Sequence, residues 1–262
     1  MIDRVVIITG ASSGIGAASA LRLARDGARL TLAARRLERL EQVAAQVQAA
    51  GGEALVVQAD VCRAEDIQRI VEATMERWGR IDVLINNAGV GNEPPLSEDA
   101  PGEVLQRIQT NLVAVIECAR AVLPVMLRQK AGQIINVASI AGLIATPSNP
   151  VYCASKHGVV GFSEALRRDL LGTGVRVSCF CPGFTPSEIS PRLQAHIDGK
   201  PGSYIPGLMP VSYVAERIAR LIRHPRRLVV VPPSWRLLVW LAQLCPWLVD
   251  WATPIYKRIS RE

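Results

Sequence analysis

No Cys-x-x-Cys pair and no cluster of histidine with cysteine occurs in this chain. Neither a zinc site nor a disulfide framework is therefore expected, and no metal is. The six cysteines, at 62, 118, 153, 179, 181 and 245, are scattered, which fits reduced thiols in a cytosolic protein. The opening Met1-Ile2-Asp3-Arg4 lacks the charged, then apolar, then small succession of a secretory leader, so a cytoplasmic location is expected. Glycine (20) and proline (17) are near ordinary usage, which excludes collagen-like and disordered classes. Basic residues outnumber acidic ones by 30 to 23, a net charge of +7. They do not alternate with aromatics as a strand-binding groove would, and no nucleic-acid partner is expected.

What remains is a chain of 262 residues with 49% hydrophobic content, enough for one sizeable core. Short runs rich in β-branched residues alternate with helical patterns. Val5–Ile8, Arg29–Ala34, Ala54–Gln58, Ile81–Ile85, Gln133–Ser139, Gly174–Cys181 and Leu228–Val231 read as strands. Helices are expected up to Arg25, up to about Ala50, around Ile67–Met75, through Asn111 to about Gln129, and from Tyr152 to about Leu171. That alternation predicts an α/β fold, a doubly wound parallel sheet in a single domain.

The first strand runs into Thr9-Gly10-Ala11-Ser12-Ser13-Gly14-Ile15-Gly16 and then a helix. Glycine permits a tight turn and close backbone approach, and the helix start offers N–H groups and a positive dipole end to phosphate. At the end of the second strand an acid would accept hydrogen bonds from free ribose hydroxyls. This chain has Ala34 followed by Arg35 and Arg36. Arg35 is read as the grip on a 2′-phosphate; Arg36 stays open between that role and a solvated helix start.

Tyr152 and Lys156 are four residues apart, so on a helix they share a face with Cβ atoms about 5–6 Å apart. A free phenol titrates near pH ~10, and a neighbouring cation favours the phenolate. The pair is a candidate proton donor and acceptor for carbonyl/alcohol chemistry. Cys153 between them is read as a small residue on the packed side of the helix.

These features together resemble the short-chain dehydrogenase/reductase family over roughly residues 4–231. Five motifs stand in the family's order: the 9–16 glycine loop, Asn86-Asn87-Ala88-Gly89, Asn111 within its helix, Ser139 thirteen residues before Tyr152, and Pro182-Gly183. The resemblance implies a Rossmann-type catalytic domain over 1–231, with a substrate loop at about 184–210. It implies that Tyr152 exchanges the proton with the substrate oxygen, Lys156 supports it and the nicotinamide ribose, Ser139 orients the substrate oxygen, and Asn111 holds a relay water. Gly10, Ser12, Ser13, Gly14, Ile15 and Gly16 would cradle the cofactor, and Asp60 and Val61 would meet the adenine. Asn87, Ala88, Gly89, Pro182 and Gly183 would support the cleft. Ser187 would stand where the family usually has a threonine against the carboxamide. Many NADP-dependent members carry a basic residue where this chain has Ser13, so Arg35 is the determinant on which an expected preference for NADP(H) over NAD(H) rests. Homodimers or homotetramers are usual in the family. Asn111 could instead tie adjacent strands together, and Ser139 could cap a turn.

The 184–210 segment contains Phe184, Ile189, Leu193, Ile197, Tyr204, Ile205, Leu208 and Met209 as candidate apolar lining, and only Arg192 and Lys200 as candidate carboxylate clamps. An apolar ketone or alcohol, such as a lipid-, steroid- or retinoid-like molecule, is the expected substrate. The alternatives are a soluble 3-oxoacyl-thioester reductase and a non-catalytic NADP-binding regulatory or scaffold protein. Residues 232–262 form an apolar extension with four of the five tryptophans, at 235, 240, 247 and 251. Its uninterrupted apolar part is shorter than the ~20 residues that span a bilayer, and Pro246 is expected to split it into two short helices. Two readings stand: peripheral contact with the inner membrane surface through 234–256, or burial against protein.

Overall fold

The computed structural model describes residues 3–91, 96–145, 147, 149–185 and 208–259. Seven strands form one sheet: β1 (Val5–Thr9), β2 (Arg29–Ala34), β3 (Glu53–Gln58), β4 (Val83–Asn86), β5 (Gly132–Val137), β6 (Val175–Pro182) and β7 (Leu228–Val231). Their spatial order is β3-β2-β1-β4-β5-β6-β7, and every pairing is parallel. The order reverses between β1 and β4. In an open α/β sheet that switch point opens a crevice outside the carboxyl ends of the strands, where ligands bind.

Among the described residues the α-helices are α1 (Gly14–Ala24), α2 (Leu37–Ala49), α3 (Ala64–Trp78), α4 (Glu103–Ile108), α5 (Ala114–Gln129), α6 (Pro150–Asp169), α7 (Val211–Arg223), α8 (Trp235–Leu244) and α9 (Pro246–Ile259). Strand side chains alternate between two packed faces, as a period of two requires. Val6, Ile8, Leu30, Leu32, Val83 and Ile85 pack with α1, α2 and α7. Ile7, Leu84 and Ile134 point the other way, to α3 and α5. Both faces are covered, which makes the strands near-continuous apolar runs in the sequence.

Several boundaries differ from the sequence reading by a residue or two. The fourth strand begins at Val83 rather than Ile81: the Gln129 side-chain amide accepts the Ile81 N–H at 3.0 Å and donates to the Ile81 carbonyl at 2.8 Å, in place of strand partners. The fifth stops at Val137, short of Ser139. The long helix through Asn111 is interrupted by a π-turn at Gln109–Val113, which joins α4 to α5; such turns re-aim side chains. The expected break at Pro246 is present, between α8 and α9. Of the substrate loop, residues 186–207 lie outside the described residues.

Candidate active site

The glycine loop leaves β1 at the switch point. Gly10 (φ +66°) and Gly14 (φ +55°) hold the left-handed conformation that favours glycine. A Cβ on Gly10 would lie 2.8 Å from the Ala88 Cα, and one on Gly16 would lie 2.3 Å from the Gly10 carbonyl oxygen. The loop is thus drawn tight against the segment after β4. Asn87 holds it there: its Nδ2 donates to the Thr9 carbonyl at 3.0 Å and the Gly10 carbonyl at 3.3 Å. The buried Thr9 hydroxyl accepts from the Asn87 and Ala88 N–H groups at 3.0 and 3.1 Å. Helix α1 starts after Ser13 without a side-chain cap and without an acid in its first turn. Its N-terminal donors and dipole are left for an anion. This cradle fits the pyrophosphate of a dinucleotide.

Next to it stand the two arginines at the end of β2. Arg36, at the N-cap of α2, turns toward the glycine loop. Its guanidinium donates to the Ser13 hydroxyl at 2.8 Å and the Ser12 hydroxyl at 3.0 Å. The Arg35 side chain is exposed at the end of β2, and its carbonyl accepts from Gln58 Nε2 at 3.0 Å. Sequence reasoning preferred Arg35 for a 2′-phosphate and left Arg36 open; Arg36 is the one of the two that hydrogen-bonds the loop hydroxyls. Asp60 accepts the Cys62 N–H at 3.0 Å, and its own N–H goes to the Asp66 carboxylate at 2.7 Å. Val61 is buried beside it.

The second cluster lies across the carboxyl ends of β4 and β5. Lys156, one turn along α6 from Tyr152, is 4% exposed. Its Nζ donates to the Val137 carbonyl at 3.0 Å and sits 5.6 Å from the Tyr152 ring centroid. Burial pushes the ammonium down from its ordinary value to about 8, with the nearby Cys179 and Cys181 opposing. Two residues beyond Val137, Ser139 caps the short turn Ile140–Gly142, its hydroxyl accepting from the Ala141 N–H at 3.1 Å. The cap that the sequence allowed as an alternative is real, and it fixes the hydroxyl at the end of β5. Gly142 lets that turn touch α6, since a Cβ there would lie 2.5 Å from the Lys156 carbonyl oxygen.

Asn111 is fully buried in the π-turn. Its Oδ1 accepts from the Val90 N–H at 2.8 Å and its Nδ2 donates to the Val90 carbonyl at 2.9 Å. It ties the π-turn to the segment after β4 rather than strand to strand, and one N–H and one lone pair of the amide are left over. A Cβ on Gly89 would lie 3.1 Å from Asn111 Oδ1 and 3.7 Å from Lys156 Nζ, so the bare Gly89 separates these two polar heads. The structure thus brings Asn111, Ser139, Tyr152 and Lys156 to one end of the sheet, beside the glycine cradle. Pro182 ends β6, and the Gly183 N–H donates to the Val231 carbonyl at 2.7 Å. Ser187 lies outside the described residues.

Trp235 is a part of this end that sequence reasoning did not place. The ring lies against Gly183, where a Cβ would meet its Cζ3 at 2.9 Å, and meets Phe184 edge-on with centroids 5.6 Å apart. The Met209 N–H donates to the Phe184 carbonyl at 2.9 Å. Val90 and Gly142 were also missed; the signals were a motif continued by one residue and a glycine one turn after a motif serine.

Comparison with known proteins agrees with this geometry. The family model described as short chain dehydrogenase matches residues 4–198. The 3-oxoacyl-[acyl-carrier-protein] reductase of Synechocystis sp. is 38% identical over 193 residues, covering 73% of this chain and 78% of that protein. The crystal structure of a short chain dehydrogenase/reductase from Burkholderia phymatum in complex with NAD superposes with a TM-score of 0.83 at 30% identity, over 94% of this chain and 95% of that one. An actinorhodin polyketide ketoreductase solved with NADPH gives 0.78 at 31% identity, over 88% and 97%. With a switch-point glycine cradle, a buried lysine one turn from a tyrosine, and these matches, the chain belongs to the short-chain dehydrogenase family and is an NAD(P)-dependent oxidoreductase.

Proposed function

We propose that the protein interconverts a carbonyl and a secondary alcohol on an apolar substrate, with NADP(H) preferred over NAD(H). The observation that carries this reading is Lys156, buried one turn from Tyr152 and anchored to the Val137 carbonyl at 3.0 Å, two residues before Ser139. Below pH ~8 that lysine is charged, and a cation beside a phenol favours the phenolate. Tyr152 then gives its proton to a carbonyl oxygen in reduction and takes it back in oxidation. The Ser139 hydroxyl, fixed by Ala141, donates to the same oxygen and stabilises charge developing there. Asn111 holds a water with the amide positions that Val90 leaves over, and the water links Lys156 to solvent. The nicotinamide group, when bound, supplies or accepts the hydride. Gly10, Ser12, Ser13, Gly14, Ile15, Gly16 and the α1 start hold the pyrophosphate; Asp60, Val61, Asn87, Ala88, Gly89, Pro182, Gly183 and Ser187 complete the cofactor site.

NADP(H) preference is supported by Arg36. Its guanidinium lies 2.8 Å from the Ser13 hydroxyl, so a cation reaches through space the loop position at which the sequence has none. Arg35 stands at the outer side. Leu143, Ile144, Phe184 and Trp235, around the Ser139 end, are apolar and partly buried, which supports an apolar rather than a charged substrate. The protein works on this reading in the cytoplasm, as a homodimer or homotetramer, and meets a membrane surface peripherally through 234–256.

The second reading is a soluble 3-oxoacyl-thioester reductase, favoured by the name of the Synechocystis relative. NADPH oxidation against carbonyls graded by chain length and polarity separates the two. Activity rising with apolar length, and falling roughly 10²–10⁴-fold in Tyr152→Phe, supports the first. Turnover of acyl thioesters alone selects the second. NADPH binding with no turnover of any carbonyl rejects both in favour of a non-catalytic protein.

A further inference from the structure

Helix α8 touches the body of the protein along one line. Trp235, Val239 and Ala242, at helical spacing, turn inward, and Val239 is buried. Apart from Arg236 and Gln243, the rest of its circumference is apolar too. Leu237 is 64% exposed, Trp240 65% and Leu244 63%, and α9 continues with Trp247 at 64% and Trp251 at 70%. A helix that is apolar on the face it packs and also on the faces it does not pack needs a second cover. Three of the chain's five tryptophans stand in that uncovered surface.

We propose that α8 and α9 are a docking platform for an anionic bilayer surface. Spanning is excluded by length. Helix α8 has 10 residues and stops before Pro246, while α9 has 14 with Pro254 inside it, against the ~20 that cross the hydrocarbon. Short amphipathic or apolar segments of this kind lie in the interface plane, where tryptophan is favoured. Charge selects lipid over a second copy of the chain. Arg236 is exposed on the platform itself, and the sequence from 232 onward adds Lys257, Arg258 and Arg261 against Asp250 and Glu262. The whole chain carries +7. Two copies meeting through this surface bring like charges together, whereas anionic headgroups complement them.

The platform is joined to the substrate end of the site. Trp235, its first residue, lies on Gly183 and meets Phe184 edge-on. Docking therefore sets that end of the molecule next to the lipid, from which an apolar ketone or alcohol would be drawn. This last consequence rests on the reductase reading; the docking itself rests on the surface alone.

The test is flotation of the full-length protein with vesicles of phosphatidylglycerol and phosphatidylcholine, beside vesicles of phosphatidylcholine only. The comparison protein is the triple variant Trp240→Ser/Trp247→Ser/Trp251→Ser, whose changes all fall on exposed positions. The expected result is binding to the anionic vesicles, weakened at 1 M salt and reduced at least roughly tenfold in the variant. Sedimentation without lipid should show one and the same oligomeric state for both proteins. Absence of binding to either vesicle, or equal binding to both, overturns the proposal. So does an oligomer that the triple variant dissolves in lipid-free buffer, which would assign the surface to a second copy. NADPH turnover of a water-soluble ketone, measured without vesicles, is the separate control. Its failure with vesicle binding intact counts against the reductase reading and leaves the docking in place.

Discussion

Replacing Lys156 by methionine should make the protein more stable at neutral pH while removing its activity. Lys156 is 4% exposed, and burial takes its ammonium from 10.5 to about 8. One pKa unit is worth about 1.4 kcal/mol, so keeping this group charged in the folded chain costs about 3 kcal/mol. The sign follows from proton counting. The unfolded lysine holds its proton up to pH ~10.5 and the folded one only up to about 8. Below 8 both states are protonated and the full cost is present. Between 8 and 10.5 the unfolded chain binds more protons, so the wild type gains stability as pH rises. Above that window the cost is gone. Methionine is similar in volume and removes the cost at every pH, but it strips the buried Val137 carbonyl of the donor that Lys156 supplies at 3.0 Å, a loss of about 1 kcal/mol. The variant should therefore be about 2 kcal/mol more stable at pH 7 and about 1 kcal/mol less stable above pH 10.5. Urea unfolding of both proteins at pH 7 and at pH 10.5, without cofactor, reads the difference directly. A variant that is less stable at pH 7, or a gap that does not change with pH, would refute the reasoning.

Arg36→Ala should raise the KM for NADPH by roughly 10–100-fold and leave that for NADH nearly unchanged, since a charge-assisted contact to phosphate is worth about 1.5–3 kcal/mol; steady-state kinetics with both cofactors check this, and equal effects on the two would reject Arg36 as the phosphate ligand. Gly16→Ala would place a Cβ 2.3 Å from the Gly10 carbonyl oxygen, and backbone on both sides leaves no room to yield. Its affinity for either cofactor, read by fluorescence titration, should fall more than about tenfold with the fold retained by circular dichroism. Cys118, Cys153, Cys179 and Cys181 are buried, and burial pushes the Cys118 thiol up to about 12. In the native protein a thiol reagent should titrate only Cys62 and Cys245 rapidly, with all six reacting after denaturation; four or more fast thiols would contradict the packing around β6.

Much of this molecule could be read from its residues, because both sheet faces are covered. Strands buried on two sides become short apolar runs such as Val5–Ile8 and Arg29–Ala34, and the glycine loop follows the first of them with the helix start directly behind. Tyr152 and Lys156 share a helix face by spacing alone, so their neighbourhood was legible before any coordinates. What the residues alone misplaced or left open lies where a side chain from elsewhere in the chain decides. Ile81 looks like strand, but the Gln129 side-chain amide takes its N–H and its carbonyl and the ladder begins later. Arg35 and Arg36 are adjacent and chemically identical, and nothing local separates them. Which one reaches Ser12 and Ser13 depends on the direction in which the chain leaves β2 for α2.

By itself the sequence determined the alternation of strands and helices, the parallel sheet that such alternation requires, the glycine turn, and the helical partnership of Tyr152 with Lys156. All of these are properties of neighbours within a few residues. Tertiary structure alone decided that Lys156 is buried on the Val137 carbonyl, that Asn111 clasps Val90 across a π-turn, that Arg36 covers the glycine loop, and that Trp235 lies on Gly183 while Trp240, Trp247 and Trp251 face outward. Each of these depends on burial or on contact between residues distant in the chain. Periodicity shows that a face is apolar; only the packed fold shows whether anything covers it.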